Sequence, residues 1–161
     1  VGRPHFAQAM VARGYVAKRE KAFDLYLAKG KSAYADRFRL LPLDCVAAIR
    51  GAGGVAVLSH PFTLDLGKAA LRSCVAELVG KGLQGIEAYY SEHSAEQTQQ
   101  YLALAKEFHL VATGGSDFHG EGNPAIKLGI GFGQLDVPDS LMDALDQAGA
   151  ESRRACAGLC C

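Results

Sequence analysis

The stretch VAVLSHP at residues 55–61 is the clearest indication of the fold. It is a short apolar run that ends in a histidine and a proline. Such a run is typical of a strand buried in a parallel sheet. Two later stretches repeat the pattern, GIEAYY at 85–90 and LVATGGSDFH at 110–119. Helix-forming segments over 69–79 and 94–108 separate the three runs. This β-α-β-α-β order predicts an α/β fold with a parallel sheet and right-handed crossovers.

Further elements are predicted on both sides of this core. The segment 31–41 is polar and aperiodic, so we expect it to be extended. Ser94 and Gln97 have the spacing of a capping box at the start of a helix. The remaining predicted elements are, in order, helices over 4–14, 18–29 and 42–49, a short glycine-rich strand over 126–132 and a final helix over 138–147.

The composition is that of a globular domain. The chain has 161 residues, of which 49% are hydrophobic, and 17 basic residues balance 17 acidic ones. This balance gives no reason to expect a nucleic-acid or membrane partner, although a local basic patch is not excluded. No apolar run approaches the ~20 residues of a membrane span, and the first residues do not have the pattern of a signal peptide. We therefore expect a cytoplasmic protein.

The five cysteines divide into two groups. Cys45 and Cys74 lie in apolar helical patterns, and we expect them in the core. Cys156, Cys160 and Cys161 are close together at the C-terminal end, without the paired spacing of a zinc site. We expect residues 150–161 to form a flexible tail.

Each predicted strand delivers a histidine or a carboxylate at its C-terminal end, where active sites of such folds gather. These residues include His60 after the first strand, and Asp117 and His119 after the third. Imidazole and carboxylate groups are ligands for zinc, manganese and iron. In an extended segment, residues two apart point to one face, so Asp117 and His119 are expected side by side. We predict metal ligands at His60, Asp117 and His119.

Other polar residues have two interpretations each. Glu87 is as compatible with a structural role as with a functional one. His93 follows the second strand and is either a structural residue or one that binds phosphate or supports the metal site. His109, near a helix C-terminus, is expected to be structural. A basic set either forms a solvated face or meets an anionic substrate, and Arg3 and His5 are the best candidates for the second role; the basic residues are Arg3, Lys29, Lys31, Arg37 and Arg39.

Four motifs resemble the PHP (polymerase and histidinol phosphatase) family of phosphoesterases. GRPHFA at 2–7, AVLSHP at 56–61, GIEA at 85–88 and GSDFH at 115–119 occur in this order in that family. The resemblance covers residues 1 to about 149. The GRPHFA helix is similar to a helix found in one bacterial branch of this family. Its members remove the 3′-phosphate from nucleoside 3′,5′-bisphosphates, and some also trim short RNA from the 5′ end.

The resemblance implies a distorted (β/α)7 barrel, with residues 1–45 as a helical insert and 46–149 as the C-terminal part of the barrel. It also implies two or three divalent metal ions, which are manganese, iron or zinc. His60, Asp117 and His119 match family ligands, and Arg3 and His5 match positions that face the substrate phosphate. His93 is expected to bind phosphate or to protonate the leaving oxygen.

The chain lacks the family's opening Asp-Leu-His-x-His-like strand and begins Val1-Gly2-Arg3. We expect it to be the C-terminal part of a longer enzyme, partnered by the missing N-terminal half of the barrel. The expected reaction is hydrolysis of phosphate esters of nucleotides or short oligonucleotides by a metal-activated water. Two alternatives remain open: a metal-dependent amidohydrolase, and a non-catalytic binding domain that retains a partial site.

Overall fold

The computed structural model describes residues 2–36, 38–120 and 124–158. The chain forms two compact units, Val1–Arg39 and Leu40–Cys161. The helical insert over 1–45 and the barrel part over 46–149 stay predictions. Three residues of the sequence predictions lie outside the described residues, namely Arg37, Cys160 and Cys161.

The N-terminal unit is helical. Helix α1 spans Arg3–Ala12, and helix α2 spans Arg19–Ala22 and continues directly into a π-helical segment, Phe23–Leu27. The predicted helix over 18–29 thus widens after one turn, because the Ala28 amide bonds to the carbonyl of Phe23, five residues back. Buried apolar side chains hold this unit together, and they are Ala7, Val16, Ala22 and Leu27.

The second unit is an α/β structure built on a three-stranded parallel sheet. The strand order is β1-β2-β3, and Gly85 of the central strand pairs with Val57 on one side and with Val111 on the other. The predicted parallel sheet is confirmed, while the seven-stranded barrel stays a prediction, since the described residues contain three named strands. The elements are α3 (Pro42–Gly51), β1 (Val57–Leu58), a 3-10 turn (Pro61–Leu64), α4 (Lys68–Val79), β2 (Gly85–Tyr90), α5 (Ala95–Glu107), β3 (Val111–Gly115) and α6 (Ser140–Ala157).

The core of this unit lies between β2 and the two crossover helices. Alternate residues of a strand share a face, so Ile86 and Ala88 are both fully buried while Glu87 remains half-buried. They pack in one cluster with residues such as Val75 of α4 and Leu104 of α5. Burying a side chain such as Ile86 stabilises the fold by roughly 1.5–3 kcal/mol. The sheet is therefore held from the side on which α4 and α5 pack.

Helix α5 begins and ends as its sequence indicates. The Ser94 hydroxyl accepts a hydrogen bond from the Gln97 amide at 3.2 Å, and the Gln97 side chain accepts one from the Ser94 amide at 2.8 Å. This reciprocal pair confirms the predicted capping box. At the other end, His109 is exposed and takes a positive φ of 53°, in the left-handed conformation that commonly ends helices.

Residues 126–132 do not form the predicted fourth strand. A single antiparallel bridge joins Lys127 and Gly131. Between and at these residues, Gly129 and Gly131 have φ values of 80° and 57°. Glycine adopts such values without steric cost, and they close the chain into a turn rather than extending it.

Helix α6 continues to Ala157, through part of the segment 150–161 for which the sequence predicted a flexible tail. The helix is held against α3. The buried Ser152 hydroxyl lies 3.0 Å from Arg50 Nη1 and 3.1 Å from Gln84 Oε1, and Cys156 Sγ lies 2.9 Å from the Gly51 carbonyl. None of the described helices is long and apolar enough to cross a membrane.

Candidate active site

The C-terminal ends of the three strands bring together the residues that the sequence predicted there. Glu87 of β2 accepts a hydrogen bond from the His60 amide through Oε2 at 2.6 Å. Tyr90, the last residue of β2, donates from its hydroxyl to Asp117 Oδ2 at 3.1 Å. The rings of His60 and Tyr90 lie with their centroids 5.7 Å apart. His60 and Asp117 thus share one rim of the sheet, with Tyr90 in contact with both.

Two residues of this rim have strained backbones. His60 has a φ of 31° and Asp117 a φ of 56°, in a region that costs side-chain-bearing residues of order 1–3 kcal/mol. The Glu87 carboxylate opposes this cost at His60 by satisfying its amide. Left-handed residues of this kind cluster at active sites and ligand clamps.

Asp117 and His119 come together through the left-handed backbone of Asp117, with a φ of 56°, and not through the extended segment that the sequence predicted. His119 Nδ1 lies 2.7 Å from the Asp117 carbonyl oxygen and 3.6 Å from its Oδ1. Because a carbonyl only accepts, Nδ1 is the donor in this hydrogen bond, and Nε2 lies outside it. A backbone carbonyl that fixes the tautomer in this way is common for histidines that bind metals.

Tyr90 was treated in the sequence as a strand residue, and its role at the site was missed. Burial, followed by the hydrogen bond to Asp117 and nearby negative charges, raises the pKa of Tyr90 to about 12. The phenol therefore stays protonated at neutral pH and acts as the donor to the carboxylate. Its position at the end of a strand that also carries Glu87 was the available signal.

His93 is enclosed by aromatic rings. Its ring centroid lies 5.4 Å from that of Phe62, 5.1 Å from that of Tyr90 and 4.8 Å from that of Tyr101. Nδ1 donates to the Ala88 carbonyl at 2.9 Å, and the buried Nε2 has no hydrogen-bond partner among the described residues. Burial lowers the pKa of His93. A neutral ring offers no positive charge to a phosphate, and the predicted substrate and acid roles stay predictions.

Arg3 and His5 lie in the N-terminal helical unit. The Arg3 guanidinium lies 3.4 Å from the Leu27 carbonyl oxygen through Nη1 and 5.6 Å from the centroid of the Tyr34 ring. His5 Nδ1 accepts a hydrogen bond from the Gly2 amide at 3.0 Å, at the start of α1. Both side chains are exposed, so they have local structural contacts and also remain accessible.

The donor chemistry at the rim suits a divalent metal ion, since two imidazoles and a carboxylate are present and His119 Nε2 takes no part in the hydrogen bond to the Asp117 carbonyl. Across residues 2–36, 38–120 and 124–158, however, no group of three or more His, Cys, Asp or Glu side chains is arranged so that it could hold an ion. His60, Asp117 and His119 therefore fit part of a metal site in type, and do not form a complete one.

Curated proteins with related sequences are phosphoesterases. The chain is 33% identical over 129 residues to a 3′,5′-nucleoside bisphosphate phosphatase from Chromobacterium violaceum, covering 80% of this chain and 45% of the relative. It is 35% identical over 129 residues to the 5′-3′ exoribonuclease Rnm from Salmonella typhimurium, covering 80% and 44%. No family model matches the chain. The chain spans about half the length of the curated relatives that it matches.

Solved structures give the same picture of the fold. A protein from Bifidobacterium adolescentis, assigned as a metal-dependent phosphoesterase, superposes with a TM-score of 0.74 at 30% identity, over 92% of this chain and 51% of that one. An amidohydrolase from Chromobacterium violaceum, solved with bound sulfate and no metal, superposes with a TM-score of 0.67 at 30% identity, over the same shares. These relatives confirm the resemblance to PHP-type metal-dependent phosphoesterases over the part of them that the chain spans.

Proposed function

We propose that the intact protein, meaning the natural protein that carries residues 1–161, is a metal-dependent phosphoesterase. Its proposed substrates are phosphate esters of nucleotides or short oligonucleotides, such as nucleoside 3′,5′-bisphosphates. One observation carries the proposal: His60 and Asp117 meet at the C-terminal rim of the sheet, joined through Tyr90. The relatives named as a bisphosphate phosphatase and an exoribonuclease support the substrate class.

In this proposal, His60, Asp117 and His119 hold two or three divalent ions of manganese, iron or zinc, with further ligands from the N-terminal half of the barrel. When bound, such ions supply Lewis acidity toward the phosphate and activate water for in-line attack. Tyr90 orients the Asp117 carboxylate through its hydroxyl, and Glu87 holds the backbone at His60. Arg3 and His5 bind and neutralise the phosphate. The role expected for His93, binding phosphate or protonating the leaving oxygen, requires that its buried Nε2 become accessible and protonated in the intact protein.

The deciding experiment is an assay of the intact protein with added Mn²⁺, Zn²⁺ or Fe²⁺. The substrates are a nucleoside 3′,5′-bisphosphate, a short RNA and a cyclic amide. We expect release of phosphate or nucleotide that a chelator abolishes. Asp117→Asn should reduce the rate at least a hundredfold, since losing a group that only orients a metal ligand already reduces metal affinity or activity by about 10–100-fold. Asp139→Asn, at the start of α6, is the matched control and should leave the rate unchanged.

The two alternatives predict different results in the same assay. Hydrolysis of the cyclic amide without release of phosphate would favour the amidohydrolase, a class that is named among the structural neighbours. Nucleotide binding without turnover under any metal would favour the non-catalytic binding domain.

The proposed phosphate role of Arg3 has its own test. In the intact protein, Arg3→Ala should raise KM for the nucleotide about tenfold or more, and Arg3→Lys should restore only part of it, because a lysine cannot form the bidentate fork. Circular dichroism of both variants checks α1, since Arg3 also contacts the Leu27 carbonyl and Tyr34. Unchanged kinetics in Arg3→Ala would assign Arg3 to a solvated face.

A further inference from the structure

A cleft of about 410 Å³ opens beside the rim, and Tyr90 and His93 are among its lining residues. Its strand side carries Tyr89, Tyr90 and His93, its helix side carries Gln99, and its third wall is the turn-rich loop with Phe132 and Gln134. We propose that this cleft binds the uncharged, ring-bearing part of the substrate, a nucleobase. The inference rests on the proposed function and extends it from the phosphate to the other end of the molecule.

The charge of the cleft excludes the phosphate itself and favours a neutral group. Its lining contains neither lysine nor arginine, and its one carboxylate, on Asp136, would repel an anion. Gln99 and Gln134 each offer a carbonyl acceptor and an amide donor, the pairing that the edge of a base requires. The cleft therefore differs in chemistry from the adjoining histidine and carboxylate cluster.

Aromatic faces supply the second requirement of a nucleobase site. Tyr89 is half-buried, and Phe132 lies on the opposing loop with 55% of its surface exposed. An exposed phenylalanine contributes little to the stability of the free protein. Stacking of a base on an aromatic ring, by contrast, contributes about 1–3 kcal/mol to binding. Phe132 is therefore the residue whose exposure a bound base would explain.

The loop wall is held in place against the strand ends, so the cleft is preformed. Gly131 approaches Ser91 so closely that a Cβ there would collide with Ser91 Oγ, and its φ is 57°. The Ser91 hydroxyl donates to the Ser116 carbonyl at 2.9 Å, and the Ser116 hydroxyl accepts from the Gly129 amide at 3.3 Å. A preformed site avoids the free-energy cost of ordering a loop when the ligand binds.

Tyr90 connects the cleft to the phosphate chemistry. Tyr90 is one of the residues that line the cleft, and its hydroxyl donates to Asp117. The cleft therefore shares Tyr90 with the rim at which the phosphate of a nucleotide is proposed to bind.

The test compares substrates with and without a base in the intact protein. Phe132→Ala and Gln134→Ala should each raise KM for a nucleoside 3′,5′-bisphosphate, Phe132→Ala by about tenfold, and leave KM for glycerol phosphate unchanged. Leu128→Ala is the matched control, since Leu128 lies in the same loop, is 76% exposed and does not line the cleft. It should change neither KM. If Phe132→Ala and the wild type had the same ratio of the two KM values, the proposal would be overturned.

A second measurement separates this proposal from the phosphoesterase itself. Saturation-transfer NMR with adenosine and with uridine, which carry no phosphate, should show binding that Phe132→Ala weakens and Leu128→Ala does not. If the protein hydrolyses no phosphate ester, this experiment decides alone. A binding signal that depends on Phe132 keeps the cleft while the proposed function fails, and an absent signal, or one that is unchanged in Phe132→Ala, overturns the cleft.

Discussion

Tyr90 is the residue on which the geometry of the rim depends. It is 8% exposed, its ring lies beside His60 and its hydroxyl donates to Asp117. Because its pKa is raised to about 12, the phenol remains a donor over the whole neutral range. It therefore fixes Oδ2 of the Asp117 carboxylate, while Oδ1 lies 3.6 Å from His119 Nδ1.

Tyr90→Phe should weaken divalent metal binding to the intact protein by about 10–100-fold, the usual effect of losing a group that orients a metal ligand. Isothermal titration with Mn²⁺ or Zn²⁺ measures it. Tyr101→Phe is the control, because it removes another buried phenol, whose ring also packs on His93, and Tyr101 makes no contact with Asp117. Equal affinities of Tyr90→Phe and the wild type would show that Asp117 needs no such support.

His93 makes the stability of the fold depend on pH. Burial lowers its pKa, outweighing the Ala88 carbonyl and the carboxylates of Glu87 and Glu92, which act in the opposite direction, while His60 adds to the lowering. The unfolded chain, with a histidine pKa near 6.5, therefore binds the proton more readily than the folded one. The contribution to stability is fully present above pH 6.5 and is lost as the pH falls toward the lower, folded pKa.

We accordingly expect the free energy of unfolding of the intact protein, measured with urea, to fall as the pH is lowered from about 7 to about 5. The slope of this free energy against pH should be shallower in His93→Gln. His109→Gln replaces an exposed histidine at the end of α5 and serves as the control. It should retain the slope of the wild type. If the free energy of unfolding had the same slope against pH in His93→Gln and in the wild type, His93 would not be the group that titrates.

At the scale of elements, the pairing of β2 with β3 determines where the aromatic residues of the rim lie. The register shifts between Glu87 and Tyr89, and Tyr89 then lies opposite Gly114. A Cβ on Gly114 would lie 2.6 Å from Tyr89 Cβ and 2.7 Å from its carbonyl oxygen. The register shift therefore requires glycine at position 114, because a Cβ there would collide with Tyr89.

Gly114→Ala should lower the free energy of unfolding by about 1–3 kcal/mol, the usual cost of overpacking. Urea denaturation followed by circular dichroism measures it. Gly51→Ala, at the end of α3, meets nothing within 4 Å and should be neutral or stabilising by up to ~1 kcal/mol. A Gly114→Ala protein as stable as the wild type would mean that the two strands can separate at no cost.

At the scale of the whole molecule, the sheet of the second unit is incompletely covered. All five residues of β3 are only half-buried. Large apolar side chains on the following loop are exposed, Leu128 by 76% and Ile130 by 47%. Apolar patches and open strand edges favour association with other chains.

We predict that residues 1–161 expressed by themselves are aggregated or partly molten, and inactive on phosphate esters with or without metal. Size-exclusion chromatography with light scattering reports association, and near-UV circular dichroism reports the loss of fixed packing. A monomeric chain that unfolds cooperatively and is activated by metal would contradict the prediction, and would mean that the rim of His60, Asp117 and His119 suffices.

The amino-acid sequence determined the features that depend on neighbouring residues. Apolar runs ending in polar residues indicated the three parallel strands, the capping box at Ser94 marked the start of α5, and strand ends identified the rim that carries His60 and Asp117. These features are local, because a strand's pattern and a helix cap involve residues a few positions apart.

Only the tertiary structure decided the features that depend on distant parts of the chain. The bond from Tyr90 to Asp117, the enclosure of His93 and the continuation of α6 along α3 join residues that are far apart in sequence. The sequence of residues 126–132 predicts a strand. The segment forms a turn instead, because its glycines adopt positive φ and one of them packs on Ser91. Local pattern limits which elements form, whereas the packing between those elements selects the contacts that each side chain makes.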